Sequence, residues 1–145
     1  MNEAEKIKSF TEEKENQPAI KRSSETKVTE VVSRLIQLME RDKLYQEHEL
    51  TLQTLSDKLS IPTYQASQAI KEGMNKNFYD LVNGYRVEEA KRLLLDPKNA
   101  NYTILSIGFE AGFNSKTTFN TVFKKFTGLT PTEFREKRKM AYMVA

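Results

Sequence analysis

The chain has 145 residues, of which 38% are hydrophobic and 30% charged, and its formal net charge is +3. This length fits one ordinary domain, and no unbroken apolar run approaches the length of a membrane span. Cysteine is absent, which excludes disulfides, thiolate metal sites and cysteine nucleophiles. We therefore expect a protein of the cytoplasm, with no metal, cofactor or small-molecule ligand in this segment.

The first part of the chain differs in composition from the rest. Residues 1–25 are rich in Glu, Lys, Ser and Asn, and so predict a flexible charged tail. From Thr26 apolar residues recur at three- and four-residue spacing, which predicts an amphipathic helix ending near Asp42 and a folded domain over 26–145. The apolar positions of this helix are Val28, Val31, Val32, Leu35, Ile36 and Met39.

A pair of short helices is predicted next, as a helix-turn-helix unit at about 51–73. The first helix opens at Thr51, the chain breaks at Ser60-Ile61-Pro62, and the second helix runs from about Thr63 to Gly73. A longer helix at about 78–95 then starts after Asn77, a suitable N-cap, and stops at Asp96-Pro97 because proline blocks continuation. This helix is long enough to act as a spacer.

The second half of the chain repeats the scheme at about 103–127. A helix from Thr103 is followed by a break at Gly112-Phe113-Asn114 and a helix that Gly128 can cap in the left-handed conformation. The last helix has a capping box, in which Thr130 caps, Pro131 takes the first helical position and Glu133 bonds back. Its start is the clearest in the chain.

The two halves superpose as an internal repeat. An offset of 52 residues aligns the first helix of each unit, and one added residue in the turn makes the offset 53 for the second helix. The aligned pairs are Thr51/Thr103, Leu52/Ile104, Leu55/Ile107, Leu59/Ala111, Ile61/Phe113, Ala66/Phe119, Ile70/Phe123, Lys71/Lys124, Asn75/Gly128 and Leu81/Phe134. We predict an all-α fold of about seven helices, with two tandem helix-turn-helix units joined by a long linker helix.

The second helix of the second unit has an apolar and a polar side. Phe119, Val122, Phe123 and Phe126 form the expected buried underside, whereas Lys116, Thr117, Asn120, Thr121 and Lys124 fall on other faces. Residue types alone leave two interpretations open for the polar side, a DNA-reading surface or an ordinary solvated face over a core.

The motifs of the second half resemble the signature of the AraC/XylS family of bacterial transcription regulators. They are Gly112-Phe113-Asn114-Ser115, Thr118-Phe119, Phe123-Lys124, Gly128, Thr130-Pro131 and Phe134-Arg135, together with the linker segment from Tyr85 to Leu94. The resemblance covers about Val28 to Arg138 and implies a seven-helix domain with two reading helices in successive major grooves. The linker is also similar to that of regulators whose DNA-binding domain is the cytoplasmic end of a larger membrane-bound protein.

The resemblance implies which residues contact DNA. They are Thr63, Tyr64, Gln65, Ser67, Gln68 and Lys71 in the first unit, and Ser115, Lys116, Thr117, Thr118, Asn120, Thr121, Lys124 and Lys125 in the second. The first unit departs from the family, because Gln68 stands where arginine is frequent and Ala66 where a larger apolar residue is usual. We therefore expect weaker guanine readout there, with adenine edges open to the glutamines.

Two further side chains have expected structural roles. Arg86 shares a stripe with apolar residues, so its stem should pack on the core while its head binds carbonyls or a carboxylate. His48, the one histidine, has no ligand set around it in the sequence and is expected to be a surface side chain.

Three classes of function can be compared with these residues. The first is transcription control, in which the domain binds double-stranded DNA near a promoter and recruits or blocks RNA polymerase; the segment would be a monomer, and the full regulator a dimer. The second is an enzyme, since domains similar to this one occur joined to alkyl-transfer repair modules. That chemistry needs nucleophilic cysteines, which this chain lacks, so an enzyme is not expected. A protein-interaction module stays as the alternative, and a salt titration separates it from a DNA binder.

Overall fold

The computed structural model describes the backbone of residues 19–144 and the side chains of residues 25–141. Regular structure in residues 19–144 is entirely helical, as predicted, and none of these helices is long and apolar enough to cross a membrane. The α-helices are α1 Ala19–Ile36, α2 Leu52–Leu59, α3 Thr63–Met74, α4 Phe78–Leu95, α5 Ile104–Ala111, α6 Lys116–Thr127 and α7 Pro131–Val144.

The beginning of α1 corrects the expected boundary at residue 25. The proposed tail lies outside the described residues up to Pro18, but α1 begins at Ala19 and so includes residues 19–25. This segment contains alanine, lysine, arginine and glutamate, which are good helix formers. A π-helical turn, Gln37–Arg41, extends α1, and the helix ends at Asp42 as predicted.

Two hydrophobic clusters form the core, and α4 belongs to both. The first cluster joins α1, α2 and α3 to Leu81 and Val82 near the beginning of α4. The second joins α5 and α6 to Val87, Ala90 and Leu94 farther along the same helix. Each helix-turn-helix unit is therefore packed on its own half of α4, which acts as the predicted linker.

The helix ends confirm the internal repeat. The side-chain oxygens of Thr51 and Thr103, which are 52 residues apart, each accept a backbone N–H three residues ahead at 3.1 and 3.0 Å. The turn holds three residues between α2 and α3 and four between α5 and α6, so the C-caps Asn75 and Gly128 are 53 apart. Both C-caps have positive φ, 56° and 83°, which glycine and asparagine tolerate.

The two units fill the space between their helices differently. In the second unit, a Cβ added to Gly108 would lie 2.5 Å from a ring carbon of Phe119, so glycine is needed for the ring to fit. The equivalent residues of the first unit are Ser56 and Ala66, both fully buried. The second unit thus pairs a large residue with glycine, whereas the first pairs two small residues. The difference is expected, because packing density is nearly constant in protein interiors.

Candidate nucleic-acid interface

The helix α6 presents a polar face that is firmly supported from below. Its N-cap Ser115 accepts the N–H of Thr118 at 3.1 Å, and Phe119 and Phe123 are completely buried beneath it. The prediction that Phe126 is also buried is wrong, since 41% of this residue is exposed. Its ring lies beside Gly84 of α4, at 3.7 Å from the position that a Cβ would take. Helical periodicity does not reveal that neighbour.

The predicted contact residues of α6 lie largely in solvent. Ser115 and Asn120 are half-buried, and the others are exposed: Lys116, Thr117, Thr118, Thr121, Lys124 and Lys125. Ser115 donates a hydrogen bond to the Thr118 hydroxyl at 2.9 Å, which occupies both side chains in the helix cap. Lys125 lies 3.8 Å from Asp80, a long exposed pair that a phosphate can displace. Apart from the two capping residues, the polar side chains of this face are therefore Thr117, Asn120, Thr121 and the lysines.

The helix α3 presents the equivalent face in the first unit. Tyr64 is 71% exposed, Ser67, Gln68 and Lys71 are exposed, and Thr63 and Gln65 are half-buried. The Gln68 amide donates to both carboxylate oxygens of Glu72 at 3.3 Å. Reading an adenine with Gln68 therefore requires this pairing to be kept or exchanged, which lowers the net gain from the contact.

A side chain from α1 also reaches the first unit's polar face. Lys27 lines a cleft of about 180 Å³ with Val28, Val31, Tyr64, Gln65, Gln68 and Ala69. This lysine is not among the predicted contact residues, because it lies outside both helix-turn-helix units. The amphipathic spacing of α1 was the available signal, since it places Lys27 next to the half-buried Val28 and one turn from the buried Val31.

The two polar faces differ in charge at equivalent positions. The repeat aligns Lys71 with Lys124, but Glu72 with Lys125. The face of α6 therefore attracts phosphates more strongly than that of α3, in which one lysine is followed by one glutamate. After Tyr102 the chain has seven Lys and Arg against three Asp and Glu, which extends the same asymmetry.

Arg86 and His48 both bind backbone carbonyls. The Arg86 guanidinium donates to the carbonyls of Tyr45 and Glu47, which confirms its structural role, and burial lowers its pKa. His48 is exposed as predicted, but its Nε2 also lies 2.8 Å from the carbonyl oxygen of Phe109. This bond could not be predicted from the residue types, because a carbonyl acceptor is present at every residue. The described residues contain no group of three or more His, Cys, Asp or Glu placed to hold a metal.

The fold and its two exposed helix faces define a tandem helix-turn-helix protein. A family model described as a helix-turn-helix domain matches residues 55–137. An uncharacterised HTH-type transcriptional regulator of Staphylococcus aureus strain COL is 31% identical over 96 residues, covering 66% of this chain and 12% of that protein. The bifunctional transcriptional activator/DNA repair enzyme AdaA of Bacillus subtilis is 32% identical over 99 residues, covering 68% of this chain and 45% of AdaA. The chain thus spans less than half of either relative.

Solved structures show the same architecture. The C-terminal domain of AraT, a response regulator from Geobacillus stearothermophilus, has a TM-score of 0.66 at 28% identity, covering 74% of this chain and 84% of that one. The C-terminal domain of the two-component response regulator yesN from Fusobacterium nucleatum has a TM-score of 0.61 at 33% identity, covering 72% of this chain and 97% of that one. This chain belongs to the AraC-type helix-turn-helix family.

Proposed function

We propose that this chain binds double-stranded DNA in a sequence-specific manner and thereby regulates transcription. The observation that carries the proposal is the pair of equivalent helices, α3 and α6, each ending in a left-handed C-cap, supported by a buried underside and polar on its outer face. Both are attached to the single helix α4, so they can enter successive major grooves on one face of the duplex.

Each group on the polar faces has a role in this function. Thr121 and Asn120 of α6, with Gln65 and Gln68 of α3, donate to and accept from base edges. Lys116 and Lys124 hold phosphates, and the N-terminus of α6 adds its unpaired backbone amides. Binding is the whole activity of this segment, and the alkyl transfer expected of related repair fusions would need a cysteine that this chain lacks.

We also propose how the domain acts within a longer regulator. Bound near a promoter in the cytoplasm, the domain recruits or blocks RNA polymerase. The isolated segment is a monomer, since both reading helices are already present in one chain, and a dimer would come from other parts of a full-length regulator.

Selection of bound sequences from a random duplex library tests the proposal directly. We expect enrichment of a bipartite site whose two contacted grooves lie about 10 base pairs apart. Affinity for the selected site should fall steeply with salt, because each phosphate contact releases counterions. Failure to enrich any sequence, or binding unaffected by salt, would refute DNA recognition and favour the protein-interaction alternative.

A further inference from the structure

The connection between α1 and α2, residues 42–50, precedes the first helix-turn-helix unit but contacts the second. Its residues Leu44 and Tyr45 are buried, and the Tyr45 ring stacks on Tyr85 of α4 with centroids 5.8 Å apart. Lys43 takes a left-handed conformation, φ 52°, as the chain enters this segment. The connection is therefore packed along α4 toward the second unit.

Arg86 attaches the connection to α4 by two charged hydrogen bonds. Its Nε donates to the Tyr45 carbonyl at 2.7 Å, and its Nη2 donates to the Glu47 carbonyl at 2.8 Å. The same guanidinium lies 5.9 Å from the ring centroid of Phe113, in the turn of the second unit. A desolvated cation requires such partners. The Arg86 side chain therefore contacts the connection and this turn at once, and joins both to α4.

The second unit itself meets the connection at two points. A Cβ added to Gly112 would lie 2.2 Å from the Tyr45 carbonyl oxygen, which shows how closely the two backbones approach. His48 bonds the Phe109 carbonyl at 2.8 Å, and the two rings are 5.4 Å apart. Residues 42–50 thus contact α5 and the turn that leads to α6.

We propose that residues 42–50 form a clamp that fixes the angle between the two reading helices and so determines which half-site spacing the protein accepts. A single linker helix leaves each unit held on one side only. A second attachment, away from the axis of α4, restrains rocking of the second unit against the first. Arg86 and His48 are the positioning residues of this clamp, and its effect on spacing rests on the DNA binding proposed above.

The clamp can be tested without DNA by spin labelling. The chain has no cysteine, so cysteines introduced at Tyr64 and Thr117, equivalent positions on α3 and α6, would be the only labelled sites. We expect a narrow distribution of label–label distances in the parent and a broader one in His48→Ala and Arg86→Met. Lys91→Met is the matched control, because within the described residues Lys91 pairs with Glu88 on its own helix, at 3.0 Å.

The same variants can be tested on DNA with the selected site and versions carrying one or two extra base pairs between its halves. One base pair rotates the second half-site by about 35°, so the parent and Lys91→Met should lose on the order of a hundredfold in affinity. His48→Ala and Arg86→Met should lose about tenfold or less, because a looser pair of units follows the displaced site. A merely structural role would weaken binding equally at every spacing.

The outcomes separate this inference from the proposed function. Unchanged distance distributions in both folded variants, or spacing penalties as large as those of the parent, would overturn the clamp. If no DNA site can be selected, the proposed function fails, but the distance measurement still decides whether the clamp exists. His48→Ala is the variant expected to keep the native fold, since this side chain is exposed and bonds a carbonyl of α5.

Discussion

The ring of Phe119 packs against Gly108 between α5 and α6, so replacing this helical glycine with alanine should be unfavourable. Gly108→Ala should destabilise the protein by about 1–3 kcal/mol, because the buried ring cannot move away from the added methyl group. Alanine's better helix propensity offsets only about 1 kcal/mol of this. Gly84→Ala is the control; its added methyl would meet Phe126 at an ordinary 3.7 Å, so stability should rise slightly.

A double-mutant cycle distinguishes this steric cause from a backbone effect. Phe119→Ala alone should cost about 3–5 kcal/mol, since it empties the space under α6. With the ring absent, Gly108→Ala should cost nothing or stabilise, so the two changes should be strongly non-additive in urea unfolding. Simple additivity would show that Gly108 is required for another reason.

Glu89 should make the stability of the protein depend on pH. Hydrogen bonds from Arg92, at 2.8 Å to each carboxylate oxygen, lower its pKa despite the opposing effect of burial. A carboxyl group with a lowered pKa in the folded state contributes stability above its unfolded pKa, and this is lost as the pH falls through the folded value. Glu89→Gln should cost about 1–3 kcal/mol at neutral pH.

Urea unfolding of the parent and Glu89→Gln across the acidic range checks this assignment. The difference in unfolding free energy between the two should shrink as the pH falls, because the parent then loses the charged pair as well. A constant difference at every pH would mean that Glu89 acts through packing alone.

At the scale of the helices, capping residues made the boundaries predictable. Asn77 and the Thr130–Glu133 box cap as the sequence indicated, because these side chains satisfy backbone groups only a few residues away. Thr103 and Ser115, which stand at the predicted helix starts, are N-caps as well. Such local chemistry is readable from one sequence.

Contacts between helices were predicted less well. The exposure of Phe126 could not be predicted, because its ring lies beside Gly84 of another helix. The His48 bond could not be predicted either, because it joins residues 61 apart through a carbonyl that has no sequence signature. The buried Phe119 and Phe123 were predictable because periodicity places them opposite the polar residues of α6. Lys27 was missed because it lies outside both helix-turn-helix units, although the amphipathic spacing of α1 places it beside apolar residues.

Ser115 offers a test of one such cap. Ser115→Ala should destabilise the protein by about 0.5–2 kcal/mol, because the N–H of Thr118 loses its acceptor. Thr117→Ala, at the exposed second residue of the same helix, should change the unfolding free energy little. Equal losses in thermal unfolding for the two variants would show that α6 does not depend on its cap.

Across the whole molecule, the charge difference between the two polar faces predicts that the second unit anchors the DNA. Lys124→Ala should weaken binding to all sequences and reduce the salt slope by about one unit if a phosphate contact is lost. Gln68→Ala should cost less, since its amide is already engaged with Glu72. Binding of both variants to the selected site across a salt series gives the answer; a larger loss for Gln68→Ala throughout would assign the main anchor to the first unit.

The unequal filling of the two units limits how this protein can be redesigned. Moving α6 into the first unit would press Phe119 against Ser56, and moving α3 into the second would leave a void between Ala66 and Gly108. Each reading helix is thus matched to its own supporting helix. New specificities are better assembled on this scaffold by exchanging complete two-helix units, with the outward-facing residues altered afterwards.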